Sequence, residues 1–394
     1  MSLPSKQVTH KTTFWRDPAK RALLFQFLLL AFVALVLWFI VSNTFSNLET
    51  RGITTGFDFL DDPAGFAIAQ SLIPYSEIDT YGRTFVVGLL NTLLVSFLGI
   101  IGATILGFII GVSRLSPNWL IARLASAYVE LFRNIPLLLQ MFFWYFAVLR
   151  TLPSPRNSIN ISDSVFLNVR GLYLPEPLAG PQFYWVGIAL FIAIGLSIGL
   201  IKWNRRRQAA TGKRFAAGWI SVGLILILPV ITYLLLGSPL AWSFPELTGF
   251  NFRGGMTIIP ELLALWLSLT IYTAAFIAEI VRSGIQAVAH GQTEAAHALG
   301  IKNSLTLRLV VIPQAMRVII PPLTSQFLNL TKNSSLATAI GYPDLVSVFA
   351  GTTLNQTGQA IEVITITMLV YLVISLTVSF FMNWFNRRMA LVER

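Results

Sequence analysis

The chain has 394 residues, 55% of them hydrophobic and only 11% charged, with a formal net charge of +11. With a mean hydropathy of +0.70, it holds more apolar side chains than a soluble core could hide, so much of its surface must face lipid. No basic stripe with interleaved aromatics lies on a soluble segment, which sets nucleic-acid binding aside, and the absence of cysteine removes disulfides and thiolate metal sites.

Residues 1–21 are polar and basic, with Lys6, Lys11, Arg16, Lys20 and Arg21. Residues 22–41 are apolar apart from Gln26. Twenty helical residues cover about 30 Å, the thickness of the hydrocarbon layer. The run is longer than a signal-peptide core and lacks a small-residue cleavage site, so we expect an uncleaved first span with its N-terminus inside. Residues 43–84 are the most acidic stretch and form an external loop. The second span, about 85–112, carries Gly99, Gly102, Gly107 and Gly111, small residues that let helices approach closely in lipid.

The third span, about 128–149, starts with Glu130, Arg133, Asn134, Pro136 and Gln140. Polar groups inside a span are costly and tend to face a bundle interior or an aqueous path. Arg133 either faces that path or snorkels to the inner interface, paired with Glu130 three residues away. Gln140, about two turns deeper, is the better candidate for the path. Residues 150–182 form an external loop with five prolines. Spans at about 183–201 and 217–236 flank KWNRRRQAATGKR, the densest cationic run, which fixes that connection inside. Residues 237–257 return outside, and the sixth span is about 258–281.

The seventh span, about 318–340, is the most polar, and the eighth is about 361–385. Lys332 is deep, roughly 20 Å from the inner start of its span. With Asn333, Ser334 and Ser335 it is a candidate lining of a substrate path that tolerates an amino-acid carboxylate. A structural ion pair or a contact with a paired subunit would serve Lys332 equally. Of the 28 Lys and Arg, twenty fall on proposed inside segments, six on outside loops, and two, Arg133 and Lys332, within spans. That asymmetry supports eight spans with both termini in the cytoplasm.

Between the sixth and seventh spans runs RSGIQAVAHGQTEAAHALGIKNSLTLRLVVIPQAMRVIIP, residues 282–321. It is too long and too rich in helix formers for a plain loop. It reads as short helices on the membrane surface, with Glu294 near the start of one and a bend at Gly300. Glu294, Ala295 and Ala296, then Gly300, Val310, Ile312 and Pro313, resemble the EAA loop of ABC importer membrane subunits, with the same spacing throughout. Val310 and Ile312 are conservative departures from that pattern. RNIPLLLQ, residues 133–140, resembles a stretch common in polar amino-acid permeases of that family, and the length and layout resemble the general L-amino-acid permeases.

The resemblance implies an all-α integral membrane protein with the type I ABC importer fold, covering about 85–149 and 258–386. Residues 1–84 would then be a tail, an extra span and a loop. Residues 85–386 would be the transmembrane domain, with an insertion at 150–257 and the EAA segment at 282–318, and 387–394 a cytoplasmic tail. In that family the EAA loop is the coupling helix that docks on the ATPase, which assigns this role to Glu294, Ala295, Ala296, Gly300 and Pro313. It further implies a bacterial inner-membrane permease for amino acids, polar ones foremost. Its partners would be ABC ATPase subunits carrying ATP-Mg, a second permease subunit, identical or related, and a periplasmic substrate-binding protein. The chain has no phosphate-cradling Gly-rich loop and no Ser/His/Asp or metal-ligand arrangement, so we expect no enzyme activity and no cofactor of its own. The alternative class is a secondary transporter or channel for small polar solutes.

Overall fold

The apolar runs fold as helices, because in lipid each backbone polar group must be satisfied within its own segment. The computed structural model describes residues 18–50, 52, 55–212 and 215–389. The tail cations Lys6, Lys11 and Arg16, and also Arg51, Lys213, Arg214 and Arg394, lie outside the described residues. Among the described residues, seven helices are long and apolar enough to cross a membrane, or eight if a bent pair counts as one span. The fold is helical, as expected, with short strands that the sequence reading did not anticipate.

Helix α1 is Pro18–Thr50, with its apolar side chains exposed. Helix α2, Tyr81–Ser113, begins where Thr80 caps the backbone N–H of Arg83. The expected third span is in fact two pieces. Helix α3, Trp119–Asn134, and the stretch Leu137–Thr151 meet at 105°. Pro136 causes the break: the residue before it is driven out of the helical region, and Ile135 sits at φ −96°, ψ 126°. Beyond the break come α4, Leu137–Phe142, a π-helical turn, Phe143–Val148, and a 3-10 turn, Leu149–Thr151.

The two expected external loops zip together. Strands β1 Ile159–Ser162, β2 Val165–Asn168 and β3 Gly171–Leu174 form an antiparallel sheet, and its fourth strand, β8 Met256–Ile258, comes from the second loop. Between them, β4 Glu176–Ala179 pairs with β5 Leu240–Ser243, and β6 Glu246–Thr248 with β7 Asn251–Arg253. Phe252 stacks near Phe166 and Tyr173, with centroids at 4.7 and 4.8 Å. The β4–β5 pair closes the base of a helical hairpin, α5 Tyr184–Thr211 and α6 Ala217–Leu235. Its seam is small: Ala189, Ala193 and Ser197 on α5 and Ala217 and Ser221 on α6 are buried, and Ser197 donates to the Ser221 carbonyl.

Helix α7, Pro260–Gln286, is the central element, with most of its middle buried. The glycines of α2 are spent against it. A Cβ at Gly107 would lie 2.6 Å from Ile277, and one at Gly111 2.7 Å from Val281. After α7 come α8 His290–Ala298, α9 Asn303–Thr306 and a π-helical turn, Leu307–Val311. Helix α10, Ile312–Asn333, follows, and a 3-10 turn, Ser334–Ile340, ends it.

The chain then turns at Tyr342–Leu345 and is tied to α2. Asn91 donates to the Pro343 carbonyl, Tyr342 Oη donates to the Asn91 carbonyl, and Leu345 N–H donates to Thr92 Oγ1. A π-helical stretch, Val346–Thr353, leads through α11, Leu354–Thr357, to α12, Ala360–Met389. The bundle thus carries strands at one end of α7 and the surface helix α8 at the other, about 40 Å away.

Candidate functional site

The segment at the α8 end holds the expected coupling residues. α8 closes with two backbone bonds, Gly300 N–H to His297 O at 2.8 Å and Ile301 N–H to Ala296 O at 3.1 Å. This is a Schellman turn. Gly300 is its left-handed residue at φ +72°, a conformation that a side chain strains, so the bend sits where the sequence places it. Glu294 lies in the middle of α8 and not near its start. Its carboxylate meets His290 Nδ1 at 2.9 Å, one turn back, and both side chains are exposed.

The two alanines split: Ala295 faces out, while Ala296 is buried towards the bundle. The outward face of α8 therefore offers His290, Gly291, Glu294 and Ala295, and the exposed Leu299 follows. Gln314 on α10 donates to Gln292 on α8. Pro313 is the second residue of α10, where a missing N–H costs nothing.

At the same end of α7, Glu279 gathers cations from three helices. It accepts from Arg114, at the end of α2, and from Arg282 at 2.6 Å, one turn further along α7. Arg133 of α3 stands further off, at 3.9 Å. Arg133 therefore pairs with Glu279 and not with Glu130. Its guanidinium also rests 5.2 Å from the centre of the Phe276 ring.

The structure does not bring together the five residues expected on the path. Gln140 is spent on the backbone: its Nε2 donates to the carbonyls of Phe132 and Ile135, which the break at Pro136 leaves without helical partners. Ser334 is buried and donates to the Thr331 carbonyl. Lys332 and Ser335 open into a largely apolar cavity of about 420 Å³ against Thr367, Met368, Tyr371 and Ser375 of α12. Asn333 faces a different cavity. That space, about 280 Å³, is lined by Tyr272, Thr273 and Phe276 of α7 and by Gln326, Asn329 and Asn333 of α10.

The second cavity is the polar one. Three carboxamides, a hydroxyl and a phenol line it, all able both to donate and to accept, none of them charged. Gln326, Asn329 and Asn333 follow i, i+3, i+7 spacing, a polar stripe on one face of α10. That periodicity is the sequence signal for this wall, which four consecutive residues cannot form.

The description of binding-protein-dependent transport system inner membrane components matches residues 208–391. The putative amino-acid ABC transporter permease YhdX of Escherichia coli (strain K12) is 58% identical over 378 residues, 96% of each chain. The general L-amino acid transport system permease AapQ of Rhizobium johnstonii is 53% identical, covering 96% of this chain and 94% of that one. The glutamate/glutamine/aspartate/asparagine transport system permease BztB of Rhodobacter capsulatus is 46% identical, with 93% and 92% covered. These relatives support the ATP-driven reading over a secondary transporter or channel. With such identity along nearly its whole length, the chain belongs to the inner-membrane permease subunits of amino-acid ABC transporters.

Proposed function

We propose that this permease passes amino acids, polar ones foremost, through the carboxamide-lined cavity between α7 and α10, and that α8 is the cytoplasmic surface on which the ATPase acts. Both chain termini then lie in the cytoplasm and the strands face the periplasm. ATP-Mg is bound and hydrolysed on separate ATPase subunits, a substrate-binding protein delivers the amino acid, and a second permease subunit completes the path. The Lys332 cavity against α12 is a secondary candidate. Its ammonium has no acidic partner among the described residues, and Lys332→Met at saturating binding protein tests whether it contributes to uptake.

One observation carries the reading. The two helices that wall the polar cavity flank the coupling segment in the chain: α7 ends four residues before α8 begins, and α10 follows α8 after the short α9 and a π-helical turn. A push on α8 is therefore delivered to both walls. The Schellman turn and the Gln292–Gln314 bond make the segment stiff enough to transmit displacement.

Gly300→Pro and Glu294→Lys test it in proteoliposomes holding the whole transporter. We expect normal membrane insertion, uptake lowered about tenfold or more, and loss of the ATPase stimulation that loaded binding protein evokes. Wild-type uptake in both variants would remove the coupling assignment.

A further inference from the structure

The cluster around Glu279 is unbalanced. One carboxylate serves three guanidiniums, from Arg114, Arg282 and Arg133. Arg114 is nearly covered and hydrogen-bonded, and it also reaches Ser126 on α3. Arg282 bonds Glu279 through one nitrogen and Gln286 through another. Both Glu279 oxygens are thus taken by these two partners. Arg133 is left with a contact of 3.9 Å, too long for a hydrogen bond, and its side chain is 40% exposed.

A guanidinium carries five donors in a planar fork that suits a carboxylate. This one is held in position, by the end of α3 and the Phe276 ring, with its donors unspent. Phe276 is also a wall of the polar cavity. The cavity itself has carboxamides but no cation, so nothing inside it neutralises the carboxylate that every amino acid carries. An unspent positive charge stands beside Phe276, on the α3 side of that wall.

We propose that Arg133 is the carboxylate-receiving residue at the inner end of the path: it leaves its loose contact with Glu279 and takes the α-carboxylate of the amino acid departing the α7–α10 cavity. Arg114 and Arg282 keep Glu279 neutralised during the exchange, so Arg133 can move without exposing a bare carboxylate. The α-carboxylate is common to all amino acids, so this contact serves a broad substrate range. The inference rests on the cavity being the path.

The test uses the complete transporter in proteoliposomes, with glutamine and glutamate as probes at saturating binding protein. Arg133→Gln is expected to lower uptake of both about tenfold, the worth of one charge-assisted hydrogen bond. ATP hydrolysis stimulated by loaded binding protein should persist, so that amino acid moved per ATP falls. Arg133→Lys, which keeps the charge and loses the fork, should fall between. A merely structural role would lower hydrolysis and assembly together and would leave transport per ATP unchanged, which overturns the proposal.

Unchanged uptake with loss of bound anionic phospholipid from purified Arg133→Gln would give the site to a lipid headgroup and would also overturn it. Asn329→Leu separates the two layers. If it leaves uptake intact, the cavity is not the path. If it lowers uptake while Arg133→Gln does not, the path stands and the role of Arg133 falls.

Discussion

The α2–α7–α10 bundle and the α5–α6 hairpin are both apolar helices in the same chain, yet they are built by opposite rules. In the bundle, glycine brings backbones together: Gly107 and Gly111 admit Ile277 and Val281 at distances that no Cβ would permit. In the hairpin, Gly187, Gly195 and Gly199 on α5 have nothing within 4 Å of where a Cβ would stand. The same residue is a contact in one region and only a small lipid-facing position in the other. The bundle also holds buried polar groups and a charge cluster, whereas the seam of the hairpin is Ala and Ser. Where helices enclose a polar cavity, packing is tight and specific; in the hairpin it is permissive.

The largest effect should come from breaking the tight side of that contrast. Gly107→Leu forces four carbons into Ile277, and overpacking of this kind costs about 1–3 kcal/mol or more. We expect a clear loss of folded protein, read as recovery of a monodisperse complex from detergent. Gly199→Leu, on the open face of α5, should leave recovery unchanged. Equal losses in both would mean that the two regions pack alike.

Removing the centre of the charge cluster should come next. Glu279→Gln leaves three guanidiniums without their shared anion at the junction of α2, α3 and α7, and the loss of one partner from a largely buried ionic group costs about 3–5 kcal/mol. Partial exposure of Glu279 and Arg133 brings this towards the lower figure. A lowered melting temperature of the purified transporter checks it. Arg205→Gln on the exposed basic end of α5 is the matched control, expected to shift melting by little.

The sequence reached the spans because length and hydropathy are one-dimensional quantities. The apolar runs at 22–41, 85–112 and 361–385 all fall inside the helices observed. The turn that ends α8 was legible for a similar reason: a positive-φ glycine at a fixed offset from a short helix is a local requirement. The path residues were not. Lys332, Asn333, Ser334 and Ser335 are successive residues, and successive residues on a helix point about 100° apart, so they cannot share one wall. They divide between two cavities and the packed interior. Depth was readable and direction around the helix axis was not, except through the spacing of Gln326, Asn329 and Asn333. The strands escaped for another reason. Each is three or four residues long, and β3 finds β8 only across the whole inserted hairpin.

The gentlest prediction concerns that insertion. Gly180 N–H donates to the Pro239 carbonyl at 2.8 Å, so the chain leaves for the hairpin and returns from it at hydrogen-bond distance. β4 and β5 hold the two stubs in register from Glu176↔Ser243 to Ala179↔Leu240. Excising residues 181–237 and joining Gly180 to Ser238 through a two-residue turn would convert the pair into a plain β-hairpin. An even number of spans is removed, so α7, α8 and α10 keep their orientation. Because the bundle closes without α5 and α6, the shortened permease should insert, bind its ATPase and transport within about twofold of the full chain; loss limited to transport, with assembly intact, would show that the hairpin steers the moving helices instead of only flanking them.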